Sequence, residues 1–290
     1  MDYIEAKTIL TRVKDAPDKL FGSYYNMNLY RGCPHGCIYC DTRSTCYDIG
    51  ALEHIRVKQD ALKILADELP RKRQRGTVTT GSMNDPYMPA EKKLELTRGA
   101  LRLFGRHGFG VHVITKSTLV TRDIDMLRLV GRTYAAVSVT VTTAGDALAA
   151  KIEPHAPPPS ERFKAVKALR DAGIYAGITL MPTLPFITDS TDMVSEVVRQ
   201  AGEAGASYIL FWPGMSLREG SREYYFGQLK EHFPEVLNEY RRRFGKEYIC
   251  NSPNAEELYR AVTSGCAEYG MERSIRIWKP AQATQLQLLQ

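Results

Sequence analysis

Cys33, Cys37 and Cys40 stand at C-x3-C-x2-C spacing within the stretch N-L-Y-R-G-C-P-H-G-C-I-Y-C. Gly32, Pro34 and Gly36 make the intervening chain a loop, because glycine frees the backbone and proline blocks a continuing helix. Thiolates on so short a loop can converge on one metal centre. A structural zinc needs a fourth ligand; no second C-x2-C or H-x3-H occurs in the chain, which leaves His35 as the nearest donor. Three thiolates also suit a four-iron cluster, each sulfur taking one iron while the fourth iron stays open to a ligand. Disulfides fit poorly, since three closely spaced thiols cannot all pair with one another and nothing marks the chain for export. Taken alone, His35 reads as a solvated or hydrogen-bonded loop residue.

Polar residues that could serve such a centre recur where apolar runs end. The sequence predicts six strands over 24–31, 76–80, 111–115, 134–142, 174–181 and 206–212, separated by helices over 57–69, 91–107, 123–130, 160–172 and 189–204. Thr191 or Asp192 is the expected N-cap of the last of these. Such alternation demands parallel strands joined by crossover helices, and six units fall short of the eight in a closed barrel. The expected fold is α/β, a partial (β/α)6 barrel of TIM type. Its active site should lie at the carboxyl ends of the strands. Ser82, Asn84 and Asp85 follow the second strand, Lys116 follows the third, Ser138 lies within the fourth with Glu153 beyond it, and Met181 closes the fifth. Other readings stand beside these: Asn84 and Asp85 as turn formers, Ser138 as a satisfied core hydroxyl, Lys116 and Glu153 as solvated loop groups.

Residues 1–22 read as a lead-in, 23–215 as the barrel, and 216–290 as a C-terminal extension covering its open side. Two further helices are expected in that extension, over 222–244 and 254–269, with a strand over 275–278 and a frayed Gln-rich end from Gln282.

At 290 residues, with 43% hydrophobic and 25% charged, the chain has the composition of a soluble globular protein with a large core. The start M-D-Y-I-E-A-K lacks a signal-peptide pattern, and runs such as 208–212 are too short to cross a bilayer. A cytoplasmic, reducing location and no membrane partner are therefore expected. The net charge of +6 concentrates at Arg71-Lys72-Arg73-Gln74-Arg75 and Arg241-Arg242-Arg243, each at a predicted helix end where cations complement the dipole. A nucleic-acid partner is compatible with that balance and not demanded by it.

The cysteine triplet with Tyr39 before its last member resembles the motif of the radical S-adenosylmethionine (SAM) enzymes. G-S-M-N-D-P-Y, H-V-I-T-K, A-V-S-V-T and I-E-P at their intervals resemble the spore photoproduct lyase branch, from about Tyr25 to Pro185. The resemblance implies that Cys33, Cys37 and Cys40 hold a [4Fe-4S] cluster whose open iron takes SAM. It places Asn84, Lys116 and Ser138 against the methionine and ribose of SAM, and backbone near Tyr39 and Met181 against the adenine. Ser82 and Glu153 complete the cofactor ring. It further implies reductive cleavage of SAM to a 5′-deoxyadenosyl radical that abstracts hydrogen from a substrate, in lyase- or transferase-type chemistry. The electron would come from a reductant such as flavodoxin or ferredoxin. Two rival readings are a DNA or RNA repair or modification enzyme, and a non-catalytic iron–sulfur or zinc protein. The chain departs from the lyases at Ser82, where they carry a hydrogen-donating cysteine, and at Asp41, where they carry a second tyrosine. A serine O–H bond is too strong for easy hydrogen donation, so Cys46, close behind the cluster motif, becomes the candidate donor. Cys46, Cys250 and Cys266 all read as buried structural thiols, and for Cys46 that reading stands beside the donor role.

Overall fold

A computed structural model describes residues 1–280 of the chain. Its main sheet takes β1 (Leu10–Arg12), β2 (Tyr25–Met27), β3 (Thr77–Thr80), β4 (Gly110–Thr115), β5 (Ala135–Thr140), β6 (Tyr175–Leu180) and β7 (Ile209–Phe211). The strands lie in chain order, β2 to β7 parallel and β1 antiparallel on the β2 edge. Parallel neighbours need crossovers, and the helices supply them. These are α1 (Ala61–Arg71), α2 (Leu96–His107), α3 (Ile124–Gly131), α4 (Asp146–Ile152), α5 (Pro159–Asp171) and α6 (Thr191–Glu203). Beyond β7 come α7 (Ser221–His232), α8 (Pro234–Phe244) and α9 (Ala255–Glu268).

Register decides what faces inward. On β5, Val137 and Val139 join the apolar layer between sheet and helices, so Ala136, Ser138 and Thr140 point to the opposite, concave face. Pairing carries this alternation across the sheet. Asn26, Thr79, His112 and Ala136 form one inward row, and Ile114, Ser138 and Gly177 the next. Thr140 and Thr179 lie nearest the carboxyl ends.

Several boundaries differ from the sequence reading. Val57 belongs to a short strand, Arg56–Lys58, that pairs with Asp2–Ile4; the helix starts only at Ala61 and carries Pro70 in its last turn. The lead-in thus supplies a strand to each of two sheets. The span 91–107 is split at Glu95, whose φ of 50° interrupts the helix. Ser190, not Thr191 or Asp192, caps α6: its hydroxyl accepts from the Met193 N–H at 3.3 Å. The expected helix over 222–244 is two, because Pro234 has no N–H to continue the ladder. Residues 275–278 form no strand, although Ile275 is buried under the barrel beside Tyr208. The end from Gln282 lies outside the described residues. Arg71 and Arg241–Arg243 occupy last turns of helices, as their dipole reading requires.

Candidate active site

The cysteine loop follows β2 and a short strand at Tyr30–Arg31. Gly32 turns the chain at a φ of +92°, where a Cβ would stand 2.5 Å from the His54 carbonyl oxygen. Only glycine fits there. The Cys33 N–H donates to Leu52 O at 2.6 Å, the Ile38 N–H to Ile152 O at 3.0 Å, and the His155 N–H to His35 O at 3.1 Å. Residues far apart in the chain therefore pin both sides of the loop.

All three thiols line one cavity of about 110 Å³, with Ser82, Asn84, Asp85, Thr115 and Lys116 on its other walls. Burial pushes the Cys33 thiol up to about 12 and Cys37 further still, so a bound metal must displace their protons. Among the described residues no three His, Cys, Asp or Glu side chains converge on a point that a single ion would fill. Three thiols on one cavity are the donor set that a four-iron cluster takes, one iron to each sulfur.

Asp85 organises the floor of this cavity. Its carboxylate accepts from Thr115 Oγ1 at 2.6 Å, the Lys116 N–H at 2.7 Å and the Tyr87 N–H at 2.8 Å, and pairs with His35 Nε2 at 3.2 Å. Burial alone would raise its pKa; His35 and these donors overcome that and hold it at about 2. His35 is thereby buried rather than solvated. Asn84 is buried with its Nδ2 donating to Tyr30 O at 2.7 Å. Ser82 stays exposed at the cavity wall, behind Gly81, whose φ is +94°.

Glu153 is fully buried at the centre of a charged network. Arg162 Nη2 lies 2.6 Å from its Oε2, Thr142 Oγ1 donates to Oε1 at 2.9 Å, and the Tyr39 hydroxyl also donates to Oε1. Lys116 Nζ stands 3.9 Å from the same oxygen. Burial would lower the Lys116 pKa, yet the neighbouring Cys37 and Glu153 hold it above the ordinary lysine value. Arg162 is the closer partner of Glu153, and Lys116 lines the cysteine cavity. Glu153 thus links Tyr39, Lys116 and Arg162.

Tyr39, Glu153, Ser138 and Cys46 line neither of the two site cavities, Tyr39 and Glu153 reaching them through Lys116. Ser138 is buried one layer below the cavity, its hydroxyl engaged by His112 Nε2 at 2.7 Å and the Tyr208 hydroxyl at 2.8 Å. It lines neither site cavity. Cys46 is exposed in a short 3-10 turn, its sulfur 3.5 Å from Arg218 Nη1, and lines neither cavity either. Met181 lines the barrel cavity. Arg162 escaped sequence reading, since an arginine within a polar helix is ordinary in type.

A second cavity, about 490 Å³, fills the concave face of the sheet and shares Gly81, Ser82, Ile114, Lys116 and Thr140 with the first. Thiols, a lysine and a larger, partly open space thus adjoin at the carboxyl ends of parallel strands.

The model of the radical SAM superfamily matches residues 27–205, and the chain belongs to that superfamily. An uncharacterized protein of Mycobacterium tuberculosis is 29% identical over 91% of this chain and 79% of its own length. Another, of Methanocaldococcus jannaschii, is 31% identical over 62% of this chain and 68% of its own. Among solved structures, a cysteine-to-serine variant of spore photoproduct lyase superposes with a TM-score of 0.71 at 16% identity, covering 93% of this chain and 81% of the other. A further variant of that lyase, with bound AdoMet and dinucleoside spore photoproduct, gives 0.69 at 14%, covering 93% and 80%. At such identities the likeness is one of fold.

Proposed function

We propose that the protein is an enzyme in which Cys33, Cys37 and Cys40 hold a [4Fe-4S] cluster and Lys116 and Asn84 help seat SAM beside it. The observation that carries this reading is the joint cavity: three thiols on one wall and the part-buried Lys116 on the other, opening onto the concave face of the sheet. When bound and reduced, the cluster supplies the electron that splits SAM into methionine and a 5′-deoxyadenosyl radical, which takes a hydrogen atom from the substrate. The chain's own part is positional. Lys116 attracts the SAM carboxylate, Arg162 and Glu153 hold Tyr39 and Lys116 in register, and the Asp85–His35 pair fixes the loop that carries Cys33. The barrel wall excludes water from the reacting carbon. A reductant such as flavodoxin or ferredoxin in a reducing cytoplasm completes the reading; all six cysteines are free. Anaerobic reconstitution followed by iron analysis and a SAM-cleavage assay tests it. About four irons per chain and 5′-deoxyadenosine are expected, whereas a single zinc without turnover contradicts it.

A further inference from the structure

We infer that the barrel cavity takes a small, uncharged substrate rich in hydroxyl or amide groups, and that Asn26 is the residue that reads it. This rests on the SAM-cleaving function proposed above and extends it to the substrate class.

The cavity volume of about 490 Å³ lies within the usual small-molecule range of roughly 300–1,000 Å³, and since Lys116, Ser82 and Met181 line it, SAM takes part of that space and leaves the rest, the Asn26 side, to a small substrate. Its lining carries two charged residues, Asp18 and Lys116. Neither is free for a substrate. Asp18 Oδ1 accepts from the Leu20 and Phe21 N–H groups at 3.0 and 2.7 Å, and Oδ2 from the Ser23 N–H at 2.7 Å, so its oxygens are turned onto their own loop. Lys116 sits on the wall shared with the cysteine cavity, 3.9 Å from Glu153. A phosphate, a second carboxylate or an ammonium pushed deep into this space would lose its hydration without gaining a counter-ion.

The remaining polar lining is neutral. Ser23 and Thr79 pair hydroxyl to hydroxyl, and Thr140 and Thr179 do so at 2.8 Å. In each pair one hydroxyl spends its proton on the other, and the second keeps a proton for a ligand acceptor. Asn26 sits between Tyr25 and Met27, which face the core, so its side chain points into the cavity. Among the described residues its carboxamide has no hydrogen-bond partner. A carboxamide offers two donors and an acceptor in one plane, suited to a vicinal hydroxyl pair or an amide edge. The inward row puts Asn26 beside Thr79, so the amide and the hydroxyls form one continuous polar wall.

The test uses full-length, anaerobically reconstituted protein with SAM and reductant. A small-molecule cell extract is separated by ion exchange into neutral, anionic and cationic fractions, and each is added in turn. Release of 5′-deoxyadenosine and thermal stabilisation of the protein are both followed. The neutral fraction is expected to raise 5′-deoxyadenosine release about ten-fold over no addition, and to stabilise the protein. Asn26→Ala should cut that stimulation at least ten-fold, and the near-isosteric Asn26→Asp should do the same, which guards against a folding defect. Stimulation by the anionic or cationic fraction alone, by no fraction, or an undiminished response in both variants overturns the inference. An iron-loaded, SAM-cleaving protein that ignores the neutral fraction defeats only the substrate class. Absence of iron and of SAM cleavage throughout defeats the parent function and this inference with it.

Discussion

Arg162 and Glu153 meet at 2.6 Å with neither side chain exposed to solvent. A helix that packs outside the sheet thereby sets the charge balance within the site. Removing one partner of such a pair strands the other in a medium that cannot solvate it. Arg162→Met should destabilise the fold by about 3–5 kcal/mol in denaturant unfolding. Arg162→Met with Glu153→Gln should recover much of that loss, because no unpaired charge then remains.

Lys116 faces the cysteine cavity with its ammonium ion-paired only at 3.9 Å. Hydrogen bonds to charged groups contribute roughly 1.5–3 kcal/mol, so Lys116→Met should weaken SAM binding to reconstituted protein by about ten-fold or more. Iron content should stay at the wild-type level. Equal SAM affinity in the two proteins would count against the lysine's role.

His112 is buried beneath the barrel cavity, and burial lowers its pKa from the ordinary 6.5 to about 4. Between those values the unfolded chain binds a proton that the folded one refuses, so stability must fall as pH drops from 6.5 toward 4. The contribution is complete above 6.5 and amounts to about 3 kcal/mol. Urea unfolding at pH 7.5 and pH 4.5 should show most of this loss in the wild type and little of it in His112→Gln, after the variant's own offset at pH 7.5 is subtracted.

Gly81 carries the chain from β3 into the Ser82–Asp85 segment at a φ of +94°, and a Cβ there would stand 2.1 Å from the Ile114 carbonyl oxygen. Gly81→Ala should cost more than about 2 kcal/mol, since the residue must adopt an unfavourable conformation and β4 must shift. Denaturant unfolding checks this directly, and SAM affinity should fall as well because the displaced strand carries Lys116.

Much of the fold was readable from the chain. Runs such as Ala135–Val139 and Ala176–Leu180 are apolar on the outer face of buried parallel strands, and glycines or prolines punctuate them. The cysteine spacing located the site because few chemistries demand three thiols on one loop. What stayed hidden depended on three-dimensional register. Nothing local distinguishes Ser138, spent on His112 and Tyr208, from Thr140 one inward step nearer the cavity. Glu153 was found by its place after a strand, but its partner Arg162 lies in an ordinary amphipathic helix and is revealed only by packing. Cys46 is near the cluster motif in sequence, yet two short 3-10 turns lead it outward to Arg218.

The most direct measurement compares wild type with Cys37→Ala after anaerobic reconstitution, reading iron per chain and 5′-deoxyadenosine formed from SAM. Wild type should hold about four irons and release 5′-deoxyadenosine, and the variant should lose both. A variant that keeps full SAM cleavage, or a wild type that binds one zinc and leaves SAM intact, would contradict the assignment of these three thiols.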